Sequence, residues 1–176
     1  GMGGLEVNRR VREILPRALV PHVAAMTASA FAEERRAFAA AGMDYVAKPI
    51  SRSELAAVLE RARAASIRLD ESTLRGLASL VDGGSASVDG FLDELFESVR
   101  VALAQMERAD SPEATRRAAH SLVGSAGVCG AFGISRAAMA IERVAPKGDP
   151  AETRLRVDRL RRALEGTMTE ARQRRP

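Results

Sequence analysis

The chain contains a single cysteine, Cys129, among 176 residues. No intramolecular disulfide can form, and the composition fits a reducing compartment. Tryptophan is absent and aromatic residues make up 3% of the chain. That removes the stacking platforms on which single-stranded nucleic-acid binders depend. Long hydrophobic runs are missing too. The longest uncharged stretch near the N-terminus, Ala18 to Ala32, is interrupted by Pro21 and His22, and it falls short of the about 20 apolar residues a membrane helix needs. No stretch has the layout of a secretory signal, so a cytoplasmic location without a membrane partner is expected. With one cysteine and two histidines, no metal-ligand spacing is found, and no bound metal or cofactor is expected.

What is present is an ordinary globular balance of 46% apolar and 28% charged residues with a net charge of +4. The charge is unevenly placed: +3 over residues 1–65, −4 over 66–153 and +5 over 154–176. Arginine supplies nearly all the cations. The terminal run Arg154, Arg156, Arg159, Arg161 and Arg162 reads as a solvated helix face, so nucleic acid is not expected as a partner.

The pattern changes character near residue 65. Before it, helical and strand-like stretches alternate: Leu5–Ile14, an apolar Val20–Met26, Ala30–Ala41 closed by Gly42, a short Tyr45–Ala47, and Ser51–Ala65 opened by the capping-box pair Ser51 and Glu54. Such alternation predicts parallel strands. After Ser66 the strand signals vanish. Asp70–Val81 carries Leu74, Leu77, Ala78 and Val81 on one face, and Val88–Ala109 carries Leu92, Leu95, Phe96, Val99, Leu103 and Met106 at helical steps. The intervening Asp82–Ser87, with Gly83-Gly84, reads as a loop. Ser111 and Pro112 open a helix running to about Cys129; Ile134–Val144 makes the next, and a last begins at Ala151 after Pro146, Gly148 and Pro150. Five helices with short connections predict a mainly α, antiparallel four-helix bundle with an additional helix.

Chemistry concentrates in Arg116 to Gly130. On a helix, Ala118, Leu122, Ser125 and Cys129 would line the core face, with Cys129 a small apolar filler. His120 lies off that stripe, and its helical neighbours Gly124 and Gly127 leave the surface beside it bare. Glycine inside a helix costs about 0.5–1 kcal/mol relative to alanine. A physical reason to accept that cost is that a bulky partner must bring a reacting atom to the ring. Arg116 and Arg117 would attract an anionic partner or a phosphoryl group. An unprotonated imidazole is a good nucleophile near neutral pH, although nothing nearby in sequence offers a base to assist it. His22, which interrupts an apolar run and has no partner at ligand spacing, reads as structural.

His120, Leu122, Gly124, Ser125, Ala126 and Gly130, followed by Ile134-Ser135-Arg136-Ala137 and Ile141-Glu142, resemble the histidine phosphotransfer (HPt) domain of two-component phosphorelays over residues 66–176. The resemblance implies that His120 accepts a phosphoryl group from a receiver-domain aspartate and hands it to another. Receivers of hybrid histidine kinases and response regulators would be the partners, the receiver would bring the Mg²⁺, and this chain would have no autokinase activity. Arg116, Arg117, Val123, Gly124 and Gly127 would form the docking surface. One departure is Val123, where the family usually has lysine.

Residues 1–65 resemble the C-terminal half of a receiver domain: Met26-Thr27-Ala28 looks like its fourth strand with the phosphate-sensing hydroxyl, and Lys48-Pro49 looks like its phosphate-binding lysine and cis-proline. The acidic residues and phosphoacceptor aspartate of a receiver have no counterpart in these residues, so Thr27 and Lys48 read as relics. A two-stranded sheet would leave an apolar edge exposed. This half is therefore expected either to pack on another copy in a homodimer or to abandon receiver geometry and add its helices to the bundle. Two other readings compete with the phosphocarrier. One is a non-relaying scaffold or decoy that docks receivers; the other is a histidine-kinase dimerisation helix pair, disfavoured because Ser121 and not an acid follows His120.

Overall fold

The computed structural model describes residues 2–15, 20–28, 31–80 and 85–174. The chain divides into two compact units, 1–65 and 66–176. The first contains α1 (Gly4–Ile14), β1 (Ala24–Thr27), α2 (Ala32–Ala40), β2 (Asp44–Ala47) and α3 (Arg52–Ile67), whose last turn crosses the boundary. The second contains α4 (Glu71–Leu80), α5 (Ser85–Glu107), α6 (Pro112–Val128), α7 (Phe132–Val144), a short 3₁₀ turn (Ala145–Lys147) and α8 (Pro150–Arg174). No helix among the described residues is long and apolar enough to cross a membrane.

In the N-terminal unit β1 and β2 pair in parallel, with Ala24 opposite Asp44 and Thr27 opposite Ala47. The alternation read from the sequence thus folds into a crossover unit with α2 as the connection. Both strands are kept, as a small two-stranded parallel sheet. β1 is shorter than the apolar run that predicted it, since Val20–Val23 lies outside the strand. Gly42, with φ of +66°, ends α2 in the left-handed conformation that glycine adopts without strain. Asn8 is 2% exposed. Its Nδ2 donates to the Ala41 carbonyl at 2.8 Å, tying α1 to the end of α2. The capping box forms as read: the Glu54 amide donates to Ser51 Oγ, and Glu54 accepts from the Ser51 amide.

The C-terminal unit is a ring in which α5 meets α6, α6 meets α7, α7 meets α8 and α8 returns to α5, with α4 packed on α5 as the extra helix. Short connections between successive helices give an up-and-down bundle. Val99, Leu122, Ile134, Ile141 and Leu160 are almost fully buried at its centre. Each contributes about 1.5–3 kcal/mol through burial. Gly130, with φ of +67°, turns the chain from α6 into α7, and a Cβ there would sit 3.2 Å from the Asp70 carbonyl and the Thr73 side chain. Only glycine fits both the conformation and the approach.

Three expectations are corrected. Ser85–Ser87 form the first turn of α5 and are not loop, whereas Val81–Gly84 lie outside the described residues. Ser125 is exposed, and the buried stripe of α6 runs through Thr115, Ala118, Ala119, Leu122 and Ala126. Ala118, Leu122 and Cys129 are buried as read, and Ala126 takes the place expected for Ser125. Of the terminal arginines, Arg156 and Arg161 are half-buried and ion-paired, with Glu152 and Asp158 respectively.

Candidate functional site

α6 starts where the sequence says it must. Ser111 caps it, its hydroxyl accepting from the Ala114 amide at 3.2 Å, Pro112 occupies the first helical position and Glu113 sits in the first turn. With Ala119 and Leu122 fixed in the core, His120 is thrown outward, its side chain 69% exposed. The ring is held in spite of that exposure. His120 Nδ1 lies 2.8 Å from Oε1 of Glu142, on the neighbouring α7.

An ionised carboxylate can only accept, so among the neutral forms of the ring the contact favours the tautomer with its proton on Nδ1, which keeps the lone pair on Nε2. Glu142 is in turn contacted by Arg116, whose Nη1 lies 3.4 Å from the same Oε1. The rest of that guanidinium forks onto Glu113, with Nε 2.9 Å from Oε2 and Nη2 2.7 Å from Oε1. Hydrogen bonding to Arg116 holds the Glu113 carboxyl below the usual carboxylate range, and Glu113 raises Arg116 in return. The result is a chain of contacts along the α6–α7 surface, acid to arginine to acid, running from Glu113 through Arg116 and Glu142 to the His120 ring.

Bare surface lies beside the ring. A Cβ added at Gly124 or Gly127 would meet no atom within 4 Å. No close packing inside the unit demands glycine there, and the space freed opens outward. Exposed Val128 on α6 and Phe91 on α5 add apolar surface, and a groove between α5 and α6 runs past Ser121, Val101 and Glu97. Arg117 is exposed, with Glu113 at 4.0 Å. Val123 behaves differently. It packs partly against the bundle core, and its carbonyl accepts from Ser135 Oγ at 2.9 Å.

His120, Arg116, Arg117, Gly124 and Gly127 therefore share one region, while Val123 turns partly inward. Thr27 and Lys48 belong to the other unit. They are adjacent at the carboxyl ends of the paired strands, the Lys48 amide donating to the Thr27 carbonyl at 2.8 Å, and the Lys48–Pro49 peptide bond is cis. His22 has a partner that lies far off in sequence: its Nε2 lies 2.7 Å from Asp44 Oδ2, and Arg61 Nε reaches the same carboxylate at 3.0 Å. Cys129 is buried, which pushes its thiol pKa up, with a smaller contribution from Glu94. Among the described residues no group of three or more His, Cys, Asp or Glu is placed to hold a metal ion.

Sequence reasoning missed the role of Glu142. Its signal was available, since it is the one acidic residue of α7 and lies a single residue after the buried Ile141. Its distance of 22 positions from His120 hid the pairing until the two helices were packed.

Residues 86–173, half of the chain, match the family model of the Hpt domain, and the chain belongs to that family. Members of this family carry phosphoryl groups on histidine in phosphorelay signalling and interact with receiver domains. No curated protein and no solved structure matches the chain. His120 is the single histidine in the matched segment.

Proposed function

We propose that the protein is a phosphocarrier in which His120 Nε2 takes a phosphoryl group from the aspartyl phosphate of a receiver and passes it to a second receiver. The observation that carries this reading is the Glu142 contact to Nδ1, which leaves Nε2 of the exposed ring as the nucleophile. The Nε2 lone pair attacks phosphorus, the aspartyl O–P bond breaks, and its electron pair leaves with the receiver carboxylate. The imidazole keeps the Nδ1 proton and gains positive charge, which the Glu142 carboxylate offsets. No proton needs to move. In the reverse direction the same charged ring is the leaving group, so one arrangement serves both receipt and delivery. The receiver supplies the Mg²⁺ and in-line positioning. This chain contributes a reachable, oriented ring.

Labelled phosphate offered on a panel of phosphorylated receivers tests the reading. Acid-labile label on the native chain and none on His120→Gln is expected; label retained by His120→Gln would overturn it. A second reading, a receiver-docking scaffold that does not relay, is favoured by Val123, an apolar residue packed against the core where the family usually has lysine. It predicts receiver binding without label on the native chain and gain of label in Val123→Lys.

For residues 1–65 we propose a receiver-like portion that pairs with a second copy, since Met26, Phe31, Ile50, Leu55 and Leu59 are exposed there. Sedimentation of the full chain would show a concentration-dependent dimer that Leu59→Glu weakens; a monomer at all concentrations would rule the pairing out. A cytoplasmic location is part of the same proposal.

A further inference from the structure

We infer that Arg116 is a positioning residue for His120, acting through Glu142, and not a docking contact for the partner. The inference rests on the phosphocarrier reading for its consequence, but its geometry stands by itself. The Arg116 side chain is one-third exposed and each of its three nitrogens is engaged within the unit: Nε and Nη2 to Glu113, and Nη1 to Glu142 at 3.4 Å. A guanidinium that already faces two carboxylates has little left to offer an incoming phosphoryl group. What it does control is the place of Glu142. Carboxylate oxygen Oε1 of Glu142 stands between Arg116 Nη1 and His120 Nδ1.

Glu113 anchors the guanidinium one turn earlier on α6, at the spacing where two helical side chains meet. The planar fork thus bridges a carboxylate on its own helix and one on α7. Without Arg116, the Glu142 side chain, 26% exposed, would keep only its contact to His120 and could swing toward solvent, where it gains rotamer entropy. The ring would then exchange between its two tautomers, and Nε2 would carry a proton part of the time. Lysine could supply the charge but not the fork.

The test uses the full chain with ¹⁵N-labelled histidine and two phosphoryl donors, phosphoramidate and a phosphorylated receiver. The small donor needs no docking surface. In Arg116→Gln the His120 nitrogen shifts should move toward a mixture of tautomers, and phosphorylation by both donors should slow by the same factor, about threefold to tenfold for loss of a partly exposed charged contact. Arg116→Lys should fall between the two proteins. Unchanged nitrogen shifts, together with an unchanged phosphoramidate rate, would overturn the inference whatever the receiver rate does; a fall confined to the receiver would make Arg116 a docking residue. If the native chain takes label from neither donor while Arg116→Gln still mixes the tautomers, the phosphocarrier reading fails and the positioning role stands.

Discussion

In the helical unit apolar side chains from α5, α6, α7 and α8 meet in one continuous cluster that includes Leu92, Val99, Leu122, Ile134, Ile141 and Leu160. In the N-terminal unit the buried hydrophobics among the described residues are Met43, Val46 and Val58, and α2 buries none of its residues. There, polar contacts take over the joining: Asn8 to the Ala41 carbonyl, Arg12 to the Gly42 carbonyl, and His22 and Arg61 to Asp44. A volume-filled core is sensitive to lost volume and indifferent to pH. A unit joined by directional bonds to a few groups is sensitive to the loss of any one of them. The contrast also bears on the site, because an exposed ring can be held in one orientation only if the helices beneath it do not move, and α6 and α7 pack together through Ala119, Leu122, Ile134 and Ala138.

The largest effect is expected in the bundle. Leu122→Ala should cost about 2–5 kcal/mol in denaturant unfolding of the helical unit, read by hydrogen exchange at α6 and α7. Equal loss of protection in β1 and β2 would mean the units melt together, and the comparison would break. Next comes Asn8→Ala, which removes a buried donor from the Ala41 carbonyl and should cost the N-terminal unit about 1–3 kcal/mol; an effect within error would show that apolar contacts suffice there too. Ser111→Ala should cost about 1 kcal/mol, visible as faster exchange of the Ala114 amide with the His120 nitrogen shifts unmoved.

Much of this architecture was legible in the residues, and the reasons differ by element. The helices of the bundle were readable because each has to bury a stripe, and a stripe at 3.6-residue spacing shows in a single sequence. The capping residues Ser51 and Ser111 were readable because a cap is a local contract between residues three apart. His120 stood out through the two glycines beside it. The exchange of Ser125 for Ala126 on the buried face of α6 was not readable, since neighbouring small residues differ too little in the sequence to mark which of them faces the core. Glu142 and the Asp44 partner of His22 escaped for a related reason: each pair is 22 positions apart and meets only when two elements pack.

The smallest effect is expected at Asp44, and it sharpens the contrast because it carries a pH signature that no core substitution has. Burial pushes the Asp44 carboxyl upward, but hydrogen bonds from His22 and Arg61 outweigh it and hold the group below its ordinary range. A carboxylate whose folded value is depressed contributes stability that is complete above its unfolded value and is lost as pH falls through the folded one. The native chain should therefore exceed Asp44→Asn in stability of the N-terminal unit near neutrality, by at most about 1 kcal/mol once solvent screening of the half-exposed Arg61 is allowed for. The gap should narrow as pH drops below about 4 and close when the carboxyl is protonated. Urea titrations of both proteins at pH 7 and at pH 3, followed through β1 and β2, measure it. A gap of the same size at pH 7 and at pH 3 would mean that Asp44 acts by shape or neutral hydrogen bonding, and the N-terminal unit would then lose its claim to be held by charge.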